Sequence, residues 1–206
     1  MPPRYLLCKE LANELLLKQD KTSLRIDISN LKRDKTIFIY TFDDYIKEIK
    51  TNLDCYEKEG CTIKYKDSSV ILYKPYLNNV GRERWTVCHE MGHIYLRHKE
   101  DNRGNELEAD WFAASILMPE IILLAMTARI QLTEKFISST FGVSLEAASI
   151  RLQYINNLKT SRTTCEHSDN NLLDKQYENM IKECNNFHNC RALAQMKRMK
   201  YINVKK

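Results

Sequence analysis

Apolar residues recur every three or four positions along most of this chain and alternate only in a few short stretches. Tyr5, Leu7, Cys8, Leu11, Leu15 and Leu16 predict an amphipathic helix over Tyr5–Lys18. Thr36–Thr41 is β-branched and aromatic, as a strand requires. Asp43 stands where it can cap a helix over Tyr45–Leu53. Cys61–Lys66 and Ser69–Lys74 alternate around Asp67-Ser68 and predict an antiparallel hairpin. The loop Pro75–Gly81 then leads into a helix over Arg84–His98, carried by Trp85, Cys88, Met91, Ile94 and Tyr95. Gly92 interrupts that helix. A helical Gly costs about 1 kcal/mol relative to Ala, so its place here implies close packing against another segment. After the polar loop Lys99–Gly104 comes a second helix, which Met118-Pro119 ends because the residue before Pro avoids the helical region. Pro119 opens a third, Glu120–Ala128, with the core-like run Ile121–Leu124. Leu132–Leu152 reads as helix, tight turn at Gly142, and a further helix capped by Ser144, a helix-turn-helix-like unit. Its second helix runs Leu145–Leu158, with Leu145, Ala148, Leu152 and Ile155 forming a stripe that must pack. Residues 159–175 are polar and Gly-free, a linker. Helical periodicity returns over Gln176–Met199.

These elements predict an α+β fold: a mainly helical domain over 1–130 with a small antiparallel β-sheet, a helix-turn-helix-like helical segment over 131–158, and a polar linker with a basic helical tail over 159–206. A chain of 206 residues, 43% hydrophobic, suffices for a core. There is no run of 18 apolar residues, so no spanning helix is expected. Met1–Glu10 lacks the signal-peptide pattern, and seven cysteines without a regular framework suit reduced thiols; a cytoplasmic protein is expected. Cys88 should be a buried small hydrophobe. The net charge of +5 lies entirely in residues 159–206, since 1–158 is balanced. Such an end either contacts nucleic acid or an acidic partner or is a solvated terminus. In the helix-turn-helix-like unit, Arg151, Gln153, Asn156 and Asn157 offer little positive charge for phosphates or base edges. Packing or substrate docking is expected there ahead of DNA binding. Cys165, His167, Cys184, His188 and Cys190 follow no zinc spacing, since no C-x-x-C is present.

The chemistry concentrates in His89-Glu90-Met91-Gly92-His93, an H-E-x-x-H on the helix Arg84–His98. Residues four apart are surface neighbours on a helix, so the two imidazoles can grip one Zn²⁺ and the carboxylate between them can act on water. Zinc then needs a third protein ligand. The pattern that places a Gly three residues and a His six residues after the second His is excluded, because Leu96 and Lys99 stand there. His98 is one place out of register, either exposed or a support to a ligand. The pattern that takes a Glu from a second helix, with an acidic residue four places on, is met by Glu106 and Asp110. Glu106 is the expected ligand, and Asp110 can accept the free ring N–H of a ligating His. Glu108 projects from another face and is the weaker candidate. Mn²⁺ or Fe²⁺ also accept this donor set. Tyr95, His98 and Tyr154 are unranked candidates for stabilising an oxyanion. An extended substrate can pair with a strand edge beside the metal, and Val70, Ile71, Leu72, Tyr73 and Lys74 are taken as that edge.

Arg84–His93 and Glu106-Leu107-Glu108-Ala109-Asp110-Trp111-Phe112-Ala113-Ala114-Ser115-Ile116-Leu117-Met118-Pro119 resemble the two signature blocks of the ImmA/IrrE family of zinc metallopeptidases. The resemblance runs over roughly residues 5 to 158 and is strongest from 80 to 155. It implies a zincin-like domain, His89, His93 and Glu106 as metal ligands, and Glu90 as the catalytic carboxylate. Met91 and Asp110 stand where the family usually has an aliphatic residue and often Asn. The resemblance further implies regulatory proteolysis in a bacterial cytoplasm. The substrate it implies is a helix-turn-helix repressor of a mobile element, prophage or stress regulon. The rival reading is a regulator that binds DNA or sequesters a repressor and carries a dormant zinc site. The oligomeric state is not implied.

Overall fold

The structure is a computed structural model. It describes residues 2–160 and 171–179 apart from 20–22, 30, 32, 50–54, 77–79, 101, 128, 129, 177 and 178. The elements run α1 (Tyr5–Leu17), β1 (Ile37–Thr41), α2 (Phe42–Ile49), β2 (Gly60–Lys64), β3 (Ser69–Tyr73), α3 (Val80–Tyr95), α4 (Arg103–Leu117), α5 (Glu120–Thr127), α6 (Glu134–Phe141) and α7 (Leu145–Thr160). Residues 171–176 are helical as well. Most of the helix expected over Gln176–Met199, and the group Cys165, His167, Cys184, His188 and Cys190, lie outside the described residues. The fold is α+β: mostly helices with one small sheet.

That sheet is mixed. β2 and β3 form the expected antiparallel hairpin, but β1 adds parallel to β3, giving the order β1-β3-β2. β3 is therefore the central strand, hydrogen-bonded along both sides. The reading of Val70, Ile71, Leu72, Tyr73 and Lys74 as a substrate-binding edge fails for that reason. The backbone N–H of Lys74 is also taken, by the carbonyl of Glu59. Val70, Ile71 and Leu72 are all buried, as a strand covered on both faces requires. One face of the sheet meets the main core. The other closes a smaller cluster of Phe42, Tyr45, Cys61, Val70 and Leu72.

α2 begins at Phe42 and not Tyr45, because Thr41 caps it. Its hydroxyl accepts the Asp44 N–H at 3.1 Å and donates to the Asp44 carboxylate at 2.8 Å. α4 is capped by Asn102, whose side chain accepts the Asn105 N–H at 3.0 Å. α6 ends at Gly142 in the left-handed region (φ 64°, ψ 50°), and the Ser144 hydroxyl accepts the Ala147 N–H to start α7. On α7 the stripe is only partly inward: Ala148 and Ile155 are buried, but Leu145 is 55% exposed. Arg151, one of the polar residues that this helix could offer to a nucleic acid, is buried. It lies between Trp111 and Tyr154 and donates from Nε to the carbonyl of Met118 at 3.0 Å. It is not placed to meet a phosphate backbone. No single helix among the described residues is long and apolar enough to cross a membrane. Cys55 and Cys61 are paired as a disulfide, against the expectation of reduced thiols, while Cys8 and Cys88 are buried free thiols.

The contact that positions the site is the crossing of α3 over α4. A Cβ on Gly92 would lie 2.9 Å from the Ala109 Cα and 3.2 Å from the Ala109 carbonyl oxygen. Neither neighbour is a flexible side-chain end, so any larger residue drives the helices apart. Helix propensity alone would make Gly92→Ala stabilising by about 1 kcal/mol. Overpacking costs about 1–3 kcal/mol and outweighs it. Gly92→Ala is therefore expected to lower Tm by up to about 8 °C in a thermal melt. A raised Tm would show that the close approach is not needed.

Candidate metal centre

α3 presents His89, Glu90 and His93 to one cleft, and the start of α4 brings Glu106 and Asp110 opposite them. The cleft holds about 430 Å³ and is also lined by Thr62 of β2 and by His98. His89 Nε2 and His93 Nε2 are 3.0 Å apart, with Glu106 Oε2 3.2 Å from the first and Oε1 3.4 Å from the second. Their ligating atoms all fall within 4.8 Å of one another. Ligands 2.0–2.2 Å from one tetrahedral ion stand about 3.3–3.6 Å apart, so these three donors are spaced as if around a single centre. Two neutral imidazoles and a carboxylate are a donor set that zinc accepts.

The tautomers agree with that fit. His89 Nδ1 lies 2.8 Å from Asp110 Oδ1, so it donates there and leaves the Nε2 lone pair facing the cleft. Burial works against a charge on His89. The hydrogen bond and charge of Asp110, with Glu90 and Glu106 nearby, outweigh it and raise the pKa of the ring.

His93 is oriented less directly. The chain leaves α3 through Arg97 at φ 57°, a left-handed turn that few non-glycine residues adopt. Arg97 N–H returns to the Ile94 carbonyl and His98 N–H to the His93 carbonyl, both at 3.0 Å, the Schellman pattern. This turn folds His98 back over His93, and the two Nδ1 atoms stand 3.0 Å apart. His98 Nε2 meets Glu108 Oε2 at 2.9 Å. Glu108 in turn receives Arg4: the backbone N–H at 2.7 Å, Nε at 3.1 Å and Nη2 at 2.7 Å. With Glu108 acting as acceptor, His98 Nε2 carries the proton, His98 Nδ1 accepts from His93 Nδ1–H, and the His93 Nε2 lone pair faces His89 and Glu106 across the cleft.

Sequence reasoning left His98 between an exposed side chain and a support, and set Glu108 aside. In the structure both are buried at 5% exposure and serve the second ligand. No local signal could have found Arg4, which lies 104 residues from its partner.

The hydrogen bonds from Arg4, together with those from His98, hold the Glu108 carboxyl down to about 2 despite its burial. A depressed carboxylate stabilises the fold above its unfolded pKa, and that stability is lost as pH falls from about 4.5 toward 2. Arg4 is half exposed, so solvent screens part of this contribution. Glu108→Gln should therefore flatten the acid limb of the stability curve in that window. It should also weaken zinc binding about 10- to 100-fold in a chelator competition. Unchanged values of both would contradict the chain from Arg4 to His93.

Glu90 is held by β2. The Thr62 hydroxyl donates to Glu90 Oε2 at 2.7 Å, a pairing the sequence reading did not anticipate. Burial raises the Glu90 pKa above the usual carboxylate range, against the lowering effect of Thr62 and His89. The carboxylate is thus oriented, largely desolvated and a stronger base than an exposed Glu. Of the three oxyanion candidates, Tyr95 stacks on Phe112 and its hydroxyl accepts the Asp34 N–H, while Tyr154 donates to Glu120. Neither lines the cleft, and both nitrogens of His98 are engaged. With β3 in the middle of the sheet, the strand edge beside these residues is that of β2, whose Cys61, Thr62 and Lys64 line the cleft.

The model of the Peptidase M78 family, described as the IrrE N-terminal-like domain, matches residues 39–153, more than half of the chain. That span takes in every residue of the cleft. No curated protein matches the chain.

Proposed function

The chain belongs to the Peptidase M78 family, and from that premise we propose that it is a zinc-dependent metalloendopeptidase cleaving one specific intracellular protein. The observation that carries this reading is the convergence of His89 Nε2, His93 Nε2 and the Glu106 carboxylate beside a half-buried, oriented Glu90. His89, His93 and Glu106 would hold the ion, with Asp110 and His98 fixing the two rings. When bound, zinc supplies Lewis acidity, polarising a peptide carbonyl and making a water more acidic. Glu90 accepts a proton from the attacking water at Oε1, since Oε2 is occupied by the Thr62 hydroxyl. It then delivers that proton to the leaving amine nitrogen. The outer edge of β2 offers unpaired backbone groups to an extended peptide across the cleft. Main-chain pairing of this kind holds a substrate without reading its side chains.

For the substrate we infer a helix-turn-helix transcriptional repressor, on the strength of the resemblance to the ImmA/IrrE family. The test is incubation of the purified protein with repressors encoded by neighbouring genes, read by intact-mass spectrometry. One new cleavage site in one repressor, abolished by chelation, is the expected result. Cleavage of unrelated unfolded proteins with no preference among the repressors would overturn the specificity.

A further inference from the structure

A second cavity, of about 460 Å³, lies on a different face of α3 and shares no lining residue with the metal cleft. Three guanidinium groups line it: Arg25 and Arg33 from the segment before β1, and Arg84 from α3. Arg84 is only 8% exposed, and its Nε and Nη2 have no hydrogen-bond partner. Unpaired buried cations are rare because desolvation penalises them unless a counter-charge is present. Arg25 makes matters worse for it. Arg25 Nε and Arg84 Nη1 each lie 2.6 Å from the point a Cβ on Gly142 would occupy, so they are at most about twice that distance apart. Burial lowers the Arg84 pKa and the charge of Arg25 lowers it further, outweighing the opposite pull of Cys88 and Asp27.

The acidic groups lining the cavity are Asp27 and Glu83. Glu83 Oε1 takes the Tyr76 N–H and Asp27 Oδ1 takes the Ser29 N–H. They leave the three arginines one positive charge in excess, with Nε and Nη2 of Arg84 still without a partner. Arg33 is pinned in place by the carbonyls of Ile37 and Leu31, at 2.9 and 3.3 Å from its Nε and Nη1. Apart from Ser29 the remaining wall is mostly apolar, including Ile39, Tyr73 and Val87. Guanidinium forks match the two-oxygen edge of a phosphate or carboxylate, and a cavity of this size suits a small molecule.

We propose that this cavity binds a small organic oxyanion, a phosphate or carboxylate borne on an apolar body, between Arg25, Arg33 and Arg84. The anion would offset the buried charge of Arg84 and meet the guanidinium groups of Arg25 and Arg33, and its apolar part would lie on Ile39, Tyr73 and Val87. A ligand there would bridge α3 and the segment before β1 beside Gly142, outside the metal cleft.

The test is isothermal titration of the metal-loaded full chain with phenyl phosphate, benzoate and inorganic phosphate, each against potassium chloride at matched ionic strength. Saturable binding of at least one probe is expected, weakened at least tenfold in both Arg25→Ala and Arg84→Met. Phenyl phosphate binding with benzoate silent would assign a phosphate ligand, and the reverse a carboxylate. Tighter binding of phenyl phosphate than of inorganic phosphate would confirm the apolar wall. Arg25 is exposed, so its variant remains informative if Arg84→Met does not fold. No saturable binding by any probe, or binding undiminished in the arginine variants, would overturn the proposal. The second outcome also covers phosphate held by the metal, because neither substitution touches that site.

Discussion

Glu90→Gln should leave zinc bound and slow peptide hydrolysis about 10²- to 10⁴-fold. The amide is nearly isosteric with the carboxylate, and its oxygen can still accept the Thr62 hydroxyl, so the side chain should stay where it is. The three metal donors belong to other residues. What is lost is the ability to take and return a proton. Metal analysis and cleavage rates on the same preparation separate these effects. Equal loss of metal and activity would make Glu90 a structural residue, and full activity would remove it from the mechanism. The pH dependence carries a matching sign. The base works only when ionised, and burial raises its pKa. Hydrolysis should therefore fall with decreasing pH at values above those at which an exposed Glu protonates.

His93→Ala should abolish both metal binding and cleavage. It removes one of the three donors, and with it the end of the chain that runs through His98 and Glu108 to Arg4. Zinc bound only to the folded state stabilises it by about 4 kcal/mol when present at a thousandfold over its dissociation constant. Stripping the metal from the wild type should therefore lower Tm by about 8–16 °C in a domain of this size, while His93→Ala should melt at one temperature with or without chelator. A variant that kept its metal-dependent melting would place the ion elsewhere.

The parts of the site that were legible in the sequence are those fixed by local geometry. Four-residue spacing puts His89 beside His93 and Glu106 beside Asp110 whatever the rest of the chain does. Gly92 was legible as a close contact because a Gly in mid-helix costs stability, and Ala109 is the contact it makes. What escaped depended on distant pairing. Val70-Ile71-Leu72 is a continuous apolar run, the mark of a strand covered on both faces, yet a hairpin taken by itself leaves this strand an open edge. The parallel addition of β1 decided it. Thr62 reaches Glu90 only because β2 returns antiparallel beside α3, and Arg4 reaches Glu108 only because α1 packs along α4. Arg151 looked available to a phosphate because its charge was read without Trp111 and Tyr154 around it. His98 stands one place out of register for the third His of the excluded zinc pattern, and the left-handed turn at Arg97 is what carries it back over His93.

X-ray absorption at the zinc edge of the purified protein tests the metal centre most directly. The expected spectrum shows one zinc per chain with two imidazole nitrogens at about 2.0–2.1 Å, oxygen in the remaining positions and no sulfur. The oxygen contribution should change in Glu106→Ala. Sulfur scattering at about 2.3 Å, or a spectrum indifferent to Glu106, would contradict a centre built from His89, His93 and Glu106.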